Sequence, residues 1–133
     1  MRILVLATAM AVMGACGALA QNADIRSTIS SQFEAFKVDD FATAFTFASP
    51  SLQQFFQSAD NFGMMVTQGY PMVWRPAEVT YLELREEAGT FWQKVQIIDA
   101  EGRAHYLEYR MIETPEGWRI SGVQILDAPG AAV

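Results

Sequence analysis

Three acids and one histidine are the residues of this chain whose chemistry could move a proton: Asp39, Asp40, Asp60 and His105. His105 is the only histidine in 133 residues, and it changes charge near neutral pH, which suits a general acid or base. Its neighbours in "AHYLEYRM" alternate, so it shares a face with Leu107 and Tyr109 near the end of a strand. The simpler role is an edge residue hydrogen-bonded to a carbonyl, because no catalytic partner for it can be identified. Asp60 could act as a base if desolvated. It follows Ser58 by two residues, however, and the first turn of a helix favours a carboxylate there. Asp39 and Asp40 fit the same capping role. Adjacent residues at a helix start point in different directions and do not form a proton-sharing pair. Metal chemistry has little to work with: one histidine and one cysteine, Cys16, fall short of four zinc ligands, and no loop has the ligand rhythm of calcium. No cofactor motif is present.

A second group of residues could bind rather than react. The stretch "ASPSLQQFFQSADNFGMMVTQGYPMVW" carries Phe55, Phe62, Met65, Tyr70 and Trp74, and Tyr109 and Trp118 join them from later strands. Aromatics and methionines at helical spacing bury area in any small domain, so core is the first reading. Methionine adapts its shape, though, and Tyr70 and Trp74 each carry a polar handle. The same residues would line a site for a small apolar ligand wherever the core is not filled by its own side chains.

The elements that must position these groups come in two blocks. Ile25, Ile29, Phe33 and Phe36 fall at helical spacing behind Asp24, a fair N-cap, which predicts an amphipathic helix over about Asp24 to Val38. Asp39 and Asp40 precede a short helix with Phe41, Ala44, Phe45 and Ala48 inward. Ser49 and Pro50 open a third carrying Leu52, Phe55 and Phe56. Ser58 caps a fourth that runs to Gly69, a residue suited to a left-handed helix end. Tyr70–Pro71 reads as a rigid turn toward a sheet. From Ala77 the pattern alternates: "EVTYLELREE", "TFWQKVQIID", "AHYLEYRMIE" and "GWRISGVQIL" read as strands joined by "AG", "AEG" and "TPEG". One face carries Leu82, Leu84, Val95, Ile97, Leu107, Tyr109, Met111, Trp118 and Ile120. The other carries Glu83, Arg85, Lys94, Glu108 and Arg110. Gly122 predicts a bulge that returns Val123 and Ile125 to the buried face. The fold class is therefore α+β, with N-terminal helices on a curved antiparallel four-stranded sheet.

Composition bounds where the chain works and what it meets. Arg2, the apolar run "ILVLATAMAVMGA" and "ALA" before Gln21 match a secretory signal, with cleavage expected after Ala20 and a periplasmic or secreted destination. The run is too short for a stable membrane span. The alternative is processing at "MGAC", which would leave Cys16 acylated as a lipoprotein. Removing residues 1–20 leaves one domain, residues 21–133, with its core at about 24–127 and no cysteine for a disulfide. It also takes the net charge from −6 to −7, which argues against a nucleic-acid partner.

The segments "QFEAF", "DDFATAFTFASPSLQQFF", "NFGMMVTQGYP", "VWRP" and "EGWRISGVQIL", in that order over about Ile25 to Leu126, resemble the bacterial domain-of-unknown-function family 4864. Helices before a curved sheet also resemble the cone-shaped nuclear transport factor 2-like (ketosteroid isomerase-like, cystatin-like) superfamily. The resemblance implies an exported bacterial protein of that fold and no particular reaction. In that fold, enzymes place an acid or histidine in the cone, and members commonly pair through the exposed sheet face. The favoured expectation is a non-enzymatic module for a small apolar ligand or a protein partner. The alternatives are a cone enzyme using His105 or Asp60 for isomerase- or dehydratase-like proton transfer, and a structural homodimer.

Overall fold

In the computed structural model, which describes residues 7–126 with side chains from residue 19 onward, helices precede a sheet. They are α1 (Ala7–Lys37), α2 (Phe41–Thr46), α3 (Pro50–Phe56), α4 (Ala59–Gly69) and α5 (Pro71–Trp74). The strands are β1 (Glu78–Glu87), β2 (Thr90–Ile98), β3 (Ala104–Thr114) and β4 (Gly117–Leu126). They form an antiparallel meander in the order β1-β2-β3-β4, curled but not closed. The α+β class and the four predicted strands stand, with ends within a residue of the expected ones.

The helix starts show where local chemistry decides. Asp24 does not begin α1, which runs through it, because the alanine-rich residues before it contain no proline to break the helix. Asp39 does not open α2. It ends α1, in the left-handed conformation (φ 57°) that glycine usually supplies, with Asp40 N–H bonded to Ala35 O at 2.9 Å and Asp39 N–H to Phe36 O at 3.0 Å. Asp40 then caps α2, accepting from Thr43 N–H at 3.1 Å and Thr43 Oγ1 at 2.7 Å. Ser49 and Ser58 cap α3 and α4 as expected. Gly69 is not the left-handed terminator of α4. Pro71 instead pushes Tyr70 out of helical space (φ −134°) and opens α5, so a short helix stands where a turn was expected.

Two bulges set the curvature of the sheet. The register of β1 on β2 slips between Tyr81 and Leu84, so Val79 and Tyr81 take the inner face ahead of it and Leu82 does not. Simple alternation missed this slip. Gln93, fully buried opposite Leu84, donates its amide to Leu82 O (3.0 Å), Glu83 O (3.3 Å) and its neighbour's Lys94 O (2.9 Å). The second slip puts Ser121 in excess between Ile120 and Gly122. Beyond it Val123 faces Tyr109 and Ile125 faces Leu107, as the predicted bulge required. Val123 packs on the core, while Ile125 stays 51% exposed at the sheet's end.

The core lies between α1 and the concave face. Ile25, Ile29, Phe33 and Phe36 of α1 meet Val95, Ile97, Leu107, Tyr109, Met111 and Ile120. Thr28 Oγ1 reaches Trp118 O at 3.2 Å, which fixes the helix against β4. The free edge of β4 is stitched to the α2–α3 connection by Ser49 N–H to Ile120 O and Ile120 N–H to Phe47 O, both 2.8 Å. That bridge holds α3 over the last strand.

Gly63 in α4 is where packing overrides helix propensity. A Cβ there would lie 2.8 Å from Cγ and 2.9 Å from Cδ1 of Phe41. Alanine would normally add up to about 1 kcal/mol to a helix, but overpacking costs about 1–3 kcal/mol. Gly63→Ala is therefore expected to lower the melting temperature, and a rise would contradict this packing.

Candidate functional site

A half-open pocket separates the short helices from the last two strands, with a cavity volume of about 380 Å³. Its floor is Tyr109 of β3 with Ile120 and Val123 of β4. Gln32 and Phe36 of α1 form the back wall, and Phe62, Met65 and Val66 of α4 form the side. Tyr70 and Val73 close one end, and Leu52, Phe55 and Phe56 of α3 form the rim. The rim is the loosest part. α3 contributes no buried residue, Phe55 is 75% exposed, and the helix ends at Gln57 with φ 72°. The volume falls within the range of small-molecule sites, and such sites are mainly apolar with a few polar groups.

Among the described residues that line this pocket, none is charged or a histidine. Its polar side chains are Gln32, Tyr70 and Tyr109. Gln32 donates its amide to Ala44 O at 3.1 Å. Tyr109 is fully buried, its ring edge packs on Phe33, and among the described residues its hydroxyl has no hydrogen-bond partner. Burial raises its pKa far above the ordinary tyrosine value, and the hydroxyls of Tyr81 and Tyr70 push the same way.

Of the seven residues expected at a ligand site, the fold brings five to this pocket: Phe55, Phe62, Met65, Tyr70 and Tyr109. Trp118 is elsewhere, edge-on to Phe91 at 5.2 Å between centroids. Trp74 faces away as well. Its indole N–H donates to Asp39 at 2.9 Å, and the Arg75 guanidinium lies 4.3 Å over its ring while also bonding Asp39 at 2.9 Å. Sequence reasoning passed over Gln32 and Phe36 as lining residues. The signal was the helical spacing itself, since Gln32 lies three residues after Ile29 on the stripe that meets the sheet.

The proton-transfer candidates all lie outside the pocket lining. His105 Nε2 is 2.8 Å from Asp99 Oδ2, a carboxylate rather than the expected carbonyl. Asp99 Oδ1 accepts from the N–H groups of Glu101 and Arg103, at 3.0 and 2.9 Å, so the pair organises the β2–β3 turn. The His105 hydrogen bond, then the Arg103 N–H, hold the Asp99 carboxyl below its usual pKa. Asp60 is exposed in the first turn of α4. Among the described residues no three His, Cys, Asp or Glu side chains gather to hold a metal ion.

Four of the five charged residues expected on the outer face pair within the chain, while Arg110 is exposed with no ion pair among the described residues. Arg85 grips Glu108 through two nitrogens, at 3.1 and 3.0 Å, and Lys94 lies 3.6 Å from Glu83. Among the described residues no helix is long and apolar enough to cross a membrane. The Cys16 side chain lies outside the described residues, and so do residues 1–6 of the expected leader.

Helices laid over one face of a curled antiparallel sheet, with an uncharged pocket opening beneath the short helices, define an α+β domain with a cavity at one corner of its core. Residues 18–133 match the family model described as a domain of unknown function, DUF4864, and the chain belongs to that family. No curated protein and no solved structure matches it.

The Asp39 cluster makes a pH prediction. The Trp74 hydrogen bond, then Arg75, lower the Asp39 pKa. A depressed carboxylate contributes stability above the unfolded value, about 3.9, and loses it as pH falls through the lower folded value. Tryptophan emission should therefore show a step below pH about 3.9. Asp39→Ala should remove that step, and a step of equal size in that variant would contradict the assignment.

Proposed function

We propose that this chain is an exported, non-enzymatic module that holds a small apolar molecule between its helices and its sheet. The observation that carries the reading is the half-open pocket of about 380 Å³, lined by aromatic, aliphatic and methionine side chains. Export rests on the leader: Arg2, the apolar run and the small residues before Gln21. Acylation at Cys16 is the other processing route this leader offers. The order of helices before a curled four-stranded sheet supports a place in the nuclear transport factor 2-like superfamily, whose members often enclose such a pocket.

Proton transfer is less well supported. His105 is committed to the β2–β3 turn and Asp60 to a helix start, and neither lines the pocket. A dimer through the outer face is also less favoured, because Arg85, Glu108, Lys94 and Glu83 already satisfy one another.

The test is titration with N-phenyl-1-naphthylamine, a neutral probe whose fluorescence rises in apolar surroundings. Saturable uptake at one site per chain is expected. Leu52→Trp, which crowds the rim, should weaken it by roughly fivefold or more, while His105→Ala and Trp74→Ala leave it unchanged. Loss of uptake on His105→Ala in a folded chain, or uptake that Leu52→Trp does not alter, would contradict the proposal.

A further inference from the structure

The pocket floor holds a buried hydroxyl with no hydrogen-bond partner among the described residues. Tyr109 is fully buried, and among the described residues its hydroxyl meets no donor or acceptor, although it lies in the middle of β3 with Gln93 and Val123 as cross-strand neighbours. A buried polar group without a partner destabilises the folded state, and phenylalanine would fill the same volume without that cost. The first two strands show how the chain treats other polar groups of the inner face: the Gln93 amide nitrogen of β2 is placed on three carbonyls, and the half-buried Tyr81 Oη of β1 bonds Ser30 Oγ. Gln93 Oε1 and Tyr109 Oη are both left without a partner among the described residues, and Tyr109 is the one of these three residues that lines the pocket.

We propose that the Tyr109 hydroxyl is the polar anchor for the bound molecule, which is an uncharged apolar compound carrying a hydrogen-bond-accepting oxygen, such as a ketone. This rests on the ligand-binding reading of the pocket and narrows it. Tyr109 Oη–H donates to that oxygen; the hydroxyl exposes essentially no surface in the free chain, so side chains of the pocket have to shift to admit the oxygen, and the bond then forms in a low dielectric. An anionic head is disfavoured, since no Lys, Arg or His is among the described lining residues to offset its desolvation. A cationic head is disfavoured equally, because no Asp or Glu is there.

Three probes of one size separate the possibilities: naphthalene, 2-acetylnaphthalene and 2-naphthoate, titrated into wild type and Tyr109→Phe by ligand-observed NMR. In wild type the ketone is expected to bind roughly tenfold tighter than naphthalene, with naphthoate weakest. Tyr109→Phe should erase the ketone's advantage and leave naphthalene affinity intact. The same substitution should hold or raise the melting temperature of the free protein, because it removes an unpaired buried hydroxyl. Equal binding of naphthalene and the ketone in both chains would overturn the anchor while leaving the pocket reading standing. No binding of any probe would overturn the pocket itself. A lower melting temperature for folded Tyr109→Phe would also overturn the anchor, since the hydroxyl would then be serving the fold, for example through a water shared with the unpaired Gln93 Oε1.

Discussion

The concave face of the sheet has to be shielded from water, and the chain has one long helix to do it. α1 lays Ile25, Ile29, Phe33 and Phe36 along that face, and each such side chain contributes about 1.5–3 kcal/mol when fully buried. A single helix about 10 Å wide cannot cover four strands spaced nearly 5 Å apart. The rest of the cover comes from short helices, and most of their length is determined by caps and prolines rather than by a continuous apolar stripe. Asp40, Ser49 and Ser58 start α2, α3 and α4, and Pro71 ends one helix by starting the next. Such a cover packs closely where α2 and α4 meet α1 and loosely where α3 overhangs β4. The pocket lies at that loose corner.

Polar chemistry is arranged to hold the frame rather than to react. Gln93 saturates the carbonyls of the β1 bulge, Thr28 ties α1 to β4, Asp99 and His105 organise a turn, and Asp39 links the end of α1 to Trp74 and Arg75. On the outer face Arg85 and Glu108 form a two-point ion pair whose Glu108 partner is nearly buried. None of these residues lines the pocket. The pocket lining is left to apolar side chains with Gln32, Tyr70 and Tyr109, so binding there depends on shape, exclusion of water and few hydrogen bonds.

Much of this was legible in the residues, and the misses have physical causes. The strands were readable because branched and aromatic residues alternate between clear turn signals. The Gly122 interruption gave away the return of Val123 to the inner face. The β1 bulge was not readable, because Leu82 and Leu84 keep a perfect alternation and the slip is stabilised by Gln93 on another strand. Trp74 and Trp118 were assigned to a ligand site by type alone. Their placement depends on long-range partners, Asp39 with Arg75 for one and Phe91 for the other. His105 could be assigned to the right face but not to its partner, since Asp99 meets it only when the hairpin closes.

The central claim is that the space between the short helices and the sheet is open to a small apolar guest. A crystal of the protein held under xenon tests it most directly, because xenon occupies apolar cavities that water leaves empty. The account predicts a xenon site among Phe62, Val66 and Tyr109 with the surrounding backbone unmoved. A corner with no xenon, filled instead by the side chains of Leu52 and Phe55 folded down from α3, would contradict it.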